Sequence, residues 1–269
     1  MGYAASAFAR IHLHASLAAK TPIFGLLNSA PNQGIVEMIA CAGYDFIILD
    51  MEHLPHDEPL LKHCIGIAQS YQCAPLVRLP SPEPKLIGRV LDMGAHGIVI
   101  PQVENANQVR AVRDAMRFPP AGKRSITGGS VTGFGTLPLA DYIAQANQEL
   151  LLVPMIETPE GVRAIADILA VEGVSMVLEG ALDLALSAGA GPTPLCPTVC
   201  QQICHVAQQC QIAGVPFCAN PRTEEQLQSW QRKHIHAWLC GEDRGFLFRA
   251  LRQRLGDIKT SSMSYSGLS

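Results

Sequence analysis

The residues best suited to chemistry close short apolar runs. Phe46-Ile47-Ile48-Leu49 ends in Asp50-Met51-Glu52-His53, and Leu76-Val77 ends in Arg78. Leu151-Leu152-Val153-Pro154-Met155-Ile156 ends in Glu157, and Leu178 leads through Glu179-Gly180 to Asp183. A charge at the end of a buried run is costly unless it is paired, hydrogen-bonded or metal-bound. Glu157 and Asp183, with waters and substrate oxygens, would form a hard oxygen site that suits Mg²⁺ or Mn²⁺ better than zinc. His53 is the candidate acid/base, because a neighbouring carboxylate, Asp50 or Glu52, can orient its ring and bring its proton affinity near neutrality. Arg78 offers a planar fork of donors, either to a substrate carboxylate or, within the chain, to Asp50 or Glu52. Each residue also has a plainer reading. Asp183 precedes a helical pattern and would serve as an acid in a first helical turn, and a histidine taken alone is more often structural.

What must position these groups is an alternation of β-rich apolar runs and helical periodicity, repeated eight times. The strands are expected at 23–28, 45–50, 74–79, 97–100, 151–157, 174–178, 215–219 and 237–240. The helices are expected near 32–42, 58–71, 83–93, 105–116, 159–170, 195–212, 223–232 and 243–255. Continuous apolar strands are what a parallel sheet buried on both faces requires, and eight such units predict an α/β fold, a single-domain (β/α)8 TIM barrel with its site at the C-terminal strand ends. The chain divides into a helical lead over 1–20, the barrel over 21–258 and a flexible Ser-rich tail over 259–269. One long interruption, after the fourth helix, carries the Gly-rich stretch Thr127 to Gly135, for which a lid or a subunit contact is the available reading.

Composition removes several classes of function. Of 269 residues, 48% are hydrophobic and 16% charged, with a net charge of −3, which excludes a disordered or acidic scaffold. Without a run of basic residues, neither nucleic acid nor a membrane surface is expected as a partner. No uninterrupted apolar stretch long enough to span a bilayer exists, and the lead lacks the features of a signal peptide. The nine cysteines, odd in number and without a CxxC pair, suit a reducing cytoplasm. Cys196, Cys200 and Cys204 share a helical face, for which core packing is a better reading than zinc. None of the six lysines, Lys20, Lys62, Lys85, Lys123, Lys233 and Lys259, ends an expected strand, so no Schiff-base lysine is expected. No P-loop or strand-linked GxGxxG points to a nucleotide cofactor.

Several strings, in order and with their spacing, resemble the HpcH/HpaI aldolase family: Ala42-Gly43-Tyr44-Asp45 running into Asp50-Met51-Glu52-His53, then Val77-Arg78, Leu91-Asp92-Met93-Gly94-Ala95-His96-Gly97, Pro119-Pro120-Ala121-Gly122-Lys123-Arg124, Ile156-Glu157-Thr158 and Gly180-Ala181-Leu182-Asp183-Leu184. The resemblance covers about residues 22 to 250. It implies a metal-dependent (β/α)8 barrel, a homo-oligomer that is commonly a dimer-based hexamer with helix exchange, and chemistry on a 2-keto acid through an enolate. It further implies that Glu157 and Asp183 bind Mg²⁺, that Arg78 holds the keto acid, that His53 is the acid/base, and that backbone at Gly180 and Ala181 contacts the substrate carboxylate.

The chain departs from the common aldolase pattern at Met155, where many members have Gln, at Glu179-Gly180-Ala181, where many read Gly-Pro, and at Ser125, which replaces Gly. With Pro22 to Ser29 and Gly241-Glu242-Asp243-Arg244-Gly245, these departures resemble the branch that makes citrate for siderophore assembly, the staphyloferrin B type. That branch implies condensation of oxaloacetate with acetyl-CoA; the alternative is a class II aldolase that cleaves 4-hydroxy-2-oxo acids to pyruvate and an aldehyde.

Overall fold

The computed structural model describes residues 2–30, 32–53 and 57–265. Eight parallel strands close in sequential order into one barrel: β1 (Ile23–Asn28), β2 (Phe46–Asp50), β3 (Ala74–Arg78), β4 (Gly97–Ile100), β5 (Leu151–Ile156), β6 (Val177–Glu179), β7 (Phe217–Ala219) and β8 (Ala237–Glu242), which pairs back onto β1. The expected (β/α)8 TIM barrel is thus the architecture observed. Around it lie α1 (Gly2–Ala19), α2 (Gln33–Cys41), α3 (Glu58–Ser70), α4 (Pro84–Asp92), α5 (Ala106–Met116), α6 (Leu139–Glu149), α7 (Pro159–Arg163), α8 (Ile165–Leu169), α9 (Ala181–Ser187), α10 (Pro197–Ala213), α11 (Glu224–Arg232) and α12 (Asp243–Tyr265).

The period of two along each strand divides the core. Phe46, Ile48, Leu76, Val99, Val153 and Leu178 fill the barrel interior, and Leu13 of α1 joins them as a plug. The alternate residues, among them Ile47, Leu49, Val77, Ile98, Leu152 and Val177, pack outward against the helices. Both faces are therefore apolar, which is why these strands read as unbroken hydrophobic runs. Fully buried Leu13 contributes about 1.5–3 kcal/mol by its transfer from water, and Leu13→Ala would open the barrel floor.

Helix starts follow local chemistry. Asn32, Asp57, Glu83, Asn105, Thr158 and Thr223 each accept a backbone N–H at the first turn of the helix they precede, which satisfies donors that have no intrahelical partner. Some boundaries differ from expectation. The sixth strand begins at Val177, with Val174 making only an isolated bridge to Leu152. The expected helix over 159–170 divides at Ala164, whose ψ of 4° leaves helical geometry. The Gly-rich stretch forms a 3₁₀ segment, Ser130–Gly135, with Phe134 in left-handed backbone and 79% exposed. Helix α12 extends to Tyr265, beyond residue 258 where the sequence reading ends the barrel, and residues 266–269 of the expected tail lie outside the described residues.

No helix among the described residues is long and apolar enough to cross a membrane, and all nine cysteines are free. Cys196, Cys200 and Cys204 are half-buried, and Cys196 and Cys204 pack against the helix-layer core. Lys233 Nζ donates to Cys204 Sγ at 3.0 Å.

Candidate active site

The strand register brings the first pair together. Asp50 and Arg78 are direct partners between β2 and β3, and both point inward. Arg78 Nε and Nη2 donate to Asp50 Oδ1 and Oδ2 at 2.9 and 2.8 Å, a bidentate arrangement in which both residues are buried. The fork of Arg78 is therefore committed to its own chain. Its remaining Nη1 stands 3.2 Å from Glu52 Oε2 and 4.0 Å from Met155 Sδ. Of the two expectations for Arg78, the internal pair is the one the geometry shows, and Nη1 is the edge left beside Glu52.

Glu52 follows through a tight local contact, its N–H donating to Asp50 Oδ1 at 3.0 Å. Its Oε2 is buried with no hydrogen-bond partner, although Arg78 Nη1 lies at ion-pair distance. His53 is more than half exposed, with Nε2 3.6 Å from Glu52 Oε2. Glu52 is thus the carboxylate at the imidazole by distance, while Asp50 acts on it only through its charge.

Glu157 directly follows β5 and is 2% exposed. Its Oε2 accepts the Gln102 N–H at 2.8 Å, and Gln102 itself holds a left-handed φ of 51°. Gly180 begins the turn from β6 to α9, and its N–H donates to Ile156 O at 3.2 Å. A Cβ at Gly180 would lie 2.2 Å from Glu157 Cγ, so only glycine lets the second acidic segment approach the first. Asp183 sits in the first turn of α9, half-buried. It is thus the helix-start acid expected, and its charge reaches Glu157. Ala181 is buried at the start of the same helix, where backbone N–H groups lack intrahelical acceptors; the Gly180 N–H is already spent on the barrel.

Electrostatics ties these groups into one cluster. Burial pushes the Glu157 carboxyl up to about 7; the Gln102 N–H opposes this, and the charges of Asp183 and Glu52 add to it. Burial likewise raises Glu52, against the pull of Arg78 and His53. For Asp50, burial is outweighed by the hydrogen bonds and charge of Arg78, and the net shift is downward. Asp50 and Arg78 neutralise one another, which leaves Glu52, Glu157 and Asp183 as the further carboxylates around a guanidinium edge that Glu52 approaches at ion-pair distance.

The donor set fits a divalent ion. Among the described residues no three His, Cys, Asp or Glu side chains converge as a closed metal cage. Instead, Glu157, raised by burial, and Asp183, whose charge acts on it, are the two carboxylates that would hold an ion, with Glu52 Oε2 nearby and without a hydrogen bond of its own. Ions that keep several waters and bind through one or two carboxylates suit such a site.

Two features escape a reading by residue type. The Gln102 contact is made by a backbone N–H, for which no side-chain signal exists. Glu179 shares the outward parity of Val177, so it turns into the helix layer and pairs with Arg222, while Asn220 N–H donates to its Oε2 at 3.1 Å. Another motif proves to be architectural. Arg124 lies over the Phe118 ring and donates to Asp92 Oδ1 at 2.7 Å, joining the Pro119–Arg124 and Leu91–Gly94 strings away from the carboxylates.

A closed (β/α)8 barrel with a buried arginine and an acidic cluster at its C-terminal strand ends carries charged groups where enzymes of this fold place their sites. The chain belongs to the HpcH/HpaI aldolase/citrate lyase family, whose model matches residues 24–245. It is 32% identical over 228 residues to the hydroxypyruvate/pyruvate aldolase of Roseovarius nubinhibens, covering 83% of this chain and 87% of that protein. It is also 32% identical to the 5-keto-4-deoxy-D-glucarate aldolase of Shigella sonnei, covering 90% of this chain and 94% of that one. Among solved structures, citrate synthase SbnG superposes with a TM-score of 0.86 at 34% identity, covering 93% of this chain and 98% of that one.

Proposed function

We propose that this protein is a metal-dependent citrate synthase that condenses oxaloacetate with acetyl-CoA, in the service of siderophore assembly. The observation that carries this reading is the clustering of charge at the strand ends: Arg78 Nη1 lies against Glu52 and Met155, and the charges of Arg78, Glu52 and Asp183 all act on Glu157. The likeness to citrate synthase SbnG over nearly the whole chain supports the synthase direction, as does Met155, whose thioether lies against Arg78 where many aldolases carry an amide.

In this reading Glu157 and Asp183 hold Mg²⁺ or Mn²⁺. When bound, such an ion supplies Lewis-acid polarisation of the 2-keto oxygen. Arg78 Nη1 donates to the keto acid, while Asp50 fixes the guanidinium plane so that little side-chain entropy is lost on binding. Ala181 at the start of α9 contacts a substrate carboxylate with its backbone, Gly180 giving it access. His53, beside Glu52, takes a proton from the acetyl methyl group. The methyl carbon then bonds to the ketone carbon of oxaloacetate, the ketone oxygen gains a proton to become the citrate hydroxyl, and water cleaves the thioester to release CoA.

The second reading keeps the same residues and runs the chemistry as a class II aldolase, releasing pyruvate and an aldehyde from a 4-hydroxy-2-oxo acid; the two aldolases at 32% identity favour it. Purified protein given oxaloacetate, acetyl-CoA and Mg²⁺ should release free thiol together with citrate, identified by mass spectrometry, only when both substrates are present. Absence of thiol release, with pyruvate formed from hydroxy-oxo acids, would replace the first reading with the second.

The working form in this reading is a cytoplasmic homo-oligomer built from dimers. Helix α12 makes its main contact with β1 and leaves Phe248, Leu251, Leu255 and Ile258 exposed along one face. Such a stripe is more than a monomer usually presents to water, and a second copy of the chain is its occupant. Sedimentation of Phe248→Asp/Leu251→Asp should show a smaller species than the parent protein.

A further inference from the structure

At the opposite end of the barrel, α1 and the N-terminal ends of β5 to β8 enclose a cavity of about 640 Å³, a volume typical of small-molecule sites. The barrel interior, plugged by Leu13, separates it from the acidic mouth. Its charged and imidazole lining consists of Lys20, Arg117, His14, His234 and His236, and neither Asp nor Glu lines it. This is unexpected for a chain of net charge −3.

The polar lining is incompletely used. His14 Nε2 is buried with no hydrogen-bond partner; burial lowers the proton affinity of this ring against the pull of Glu149, whose backbone bonds it and whose carboxylate is held by Arg10 at 2.7 Å. Arg117 Nη1 pairs at 3.1 Å with Glu172, but that carboxylate is 83% exposed, and an ion pair so open to solvent neutralises little. Two of the five non-glycine residues in left-handed backbone among those described, Lys20 and His234, line this one cavity. They follow α1 and α11 at the position where glycine commonly ends a helix without strain. Keeping a side chain other than glycine there costs stability, and strain of that kind concentrates where a side chain has a task. The remaining wall is apolar, with Ile23, Val215, Phe217 and Ile235, and Ser16, Thr21 and Ser175 add hydroxyls.

We propose that this cavity is a second binding site, for a small organic polyanion whose phosphate or carboxylate groups meet Lys20, Arg117 and the histidines while its apolar body lies against Phe217 and Ile235. A permanent cation pair, beside an imidazole whose Nε2 has no partner, recognises concentrated negative charge in a partly enclosed space. The mouth, with its surplus of carboxylates, would repel the same ligand in the absence of metal.

The test is calorimetric titration of the metal-free full chain with two probes: pyrophosphate for the phosphate class and tricarballylate for the carboxylate class. Saturable binding of either or both is expected, at one site per chain, and the probe that binds more tightly identifies the class. Affinity should fall at least tenfold in Lys20→Gln/Arg117→Gln. It should fall similarly in Ala18→Trp, which fills the space from an exposed position on α1 and leaves every charge in place. Asp183→Ala, at the other end, should bind as the parent does. If neither probe binds, if both base variants bind undiminished, or if only Asp183→Ala loses binding, the site is not there.

Discussion

The two ends of this barrel carry opposite chemistry. At the C-terminal end Asp50, Glu52, Glu157 and Asp183 surround one guanidinium that Asp50 already neutralises; at the N-terminal end two permanent cations and three imidazoles line a cavity without a carboxylate. Between them lies a packed apolar interior in which Phe46, Ile48, Leu76 and Val99 exclude water. The strand ends are where polar groups can enter such a barrel, and the chain has sorted their charge by end. A carboxylate cluster is suited to hold a metal and a developing oxyanion, a cation cluster to hold an anion already formed.

The sharpest way to break the comparison is to remove the acid pair. Glu157→Ala or Asp183→Ala should lower Mg²⁺-dependent turnover by about a thousandfold or more, since either change removes half of the protein charge that would hold the Lewis acid, while circular dichroism shows the barrel intact. Full activity in the presence of a chelator would remove the metal from the account. Next comes Arg78→Lys. An ammonium cannot reproduce the fork that spans both oxygens of Asp50, so a buried carboxylate is left badly paired. Breaking such a pair costs about 3 kcal/mol or more in stability, and kcat/KM should fall by roughly a hundredfold through the displaced Nη1. Denaturant unfolding and steady-state rates measure the two effects separately.

The mouth was largely legible in the sequence because its residues interrupt apolar runs. Asp50, Arg78 and Glu157 each end a strand whose neighbours are hydrophobic on both faces, so a charge there declares itself. Glu179 stands one register position from Glu157, yet parity sends it outward to Arg222; strand ends one residue uncertain do not reveal that. The base was not legible at all. Lys20, Arg117, His234 and His236 come from segments that read as helix ends or loops, each ordinary by itself, and only closure of the barrel gathers them. The rule that barrel enzymes keep their chemistry at the C-terminal end also directs attention away from the other face.

A subtler prediction concerns pH. The Glu157 carboxyl sits at about 7 in the folded metal-free protein, against an ordinary 4.5. Between those values the folded state keeps a proton that the unfolded chain would release, so stability falls as pH rises from 4.5 through 7 and is lowest above that. The full cost amounts to about 3 kcal/mol as an upper bound. Glu157→Gln should therefore raise the unfolding free energy of the metal-free protein at pH 8, have little effect near pH 4, and lack turnover at either. Equal stability of the two proteins at pH 8 would mean that the buried acid carries no such burden.

The smallest effect lies at the base and mirrors that trade. Lys20 holds a left-handed φ of 55° after α1, at a helix end where glycine is conformationally cheaper. Lys20→Gly should stabilise the fold by about 0.5–1 kcal/mol, the lower figure allowing for the greater freedom of glycine in the unfolded chain. Thermal unfolding would register this as a rise of a few degrees at most. Turnover at the distant mouth should not change, and pyrophosphate or tricarballylate binding should weaken. If Lys20→Gly gains stability and keeps its polyanion affinity, the lysine is an unselected helix end; if both move as expected, each end of the barrel retains a side chain that binding requires and folding alone would discard.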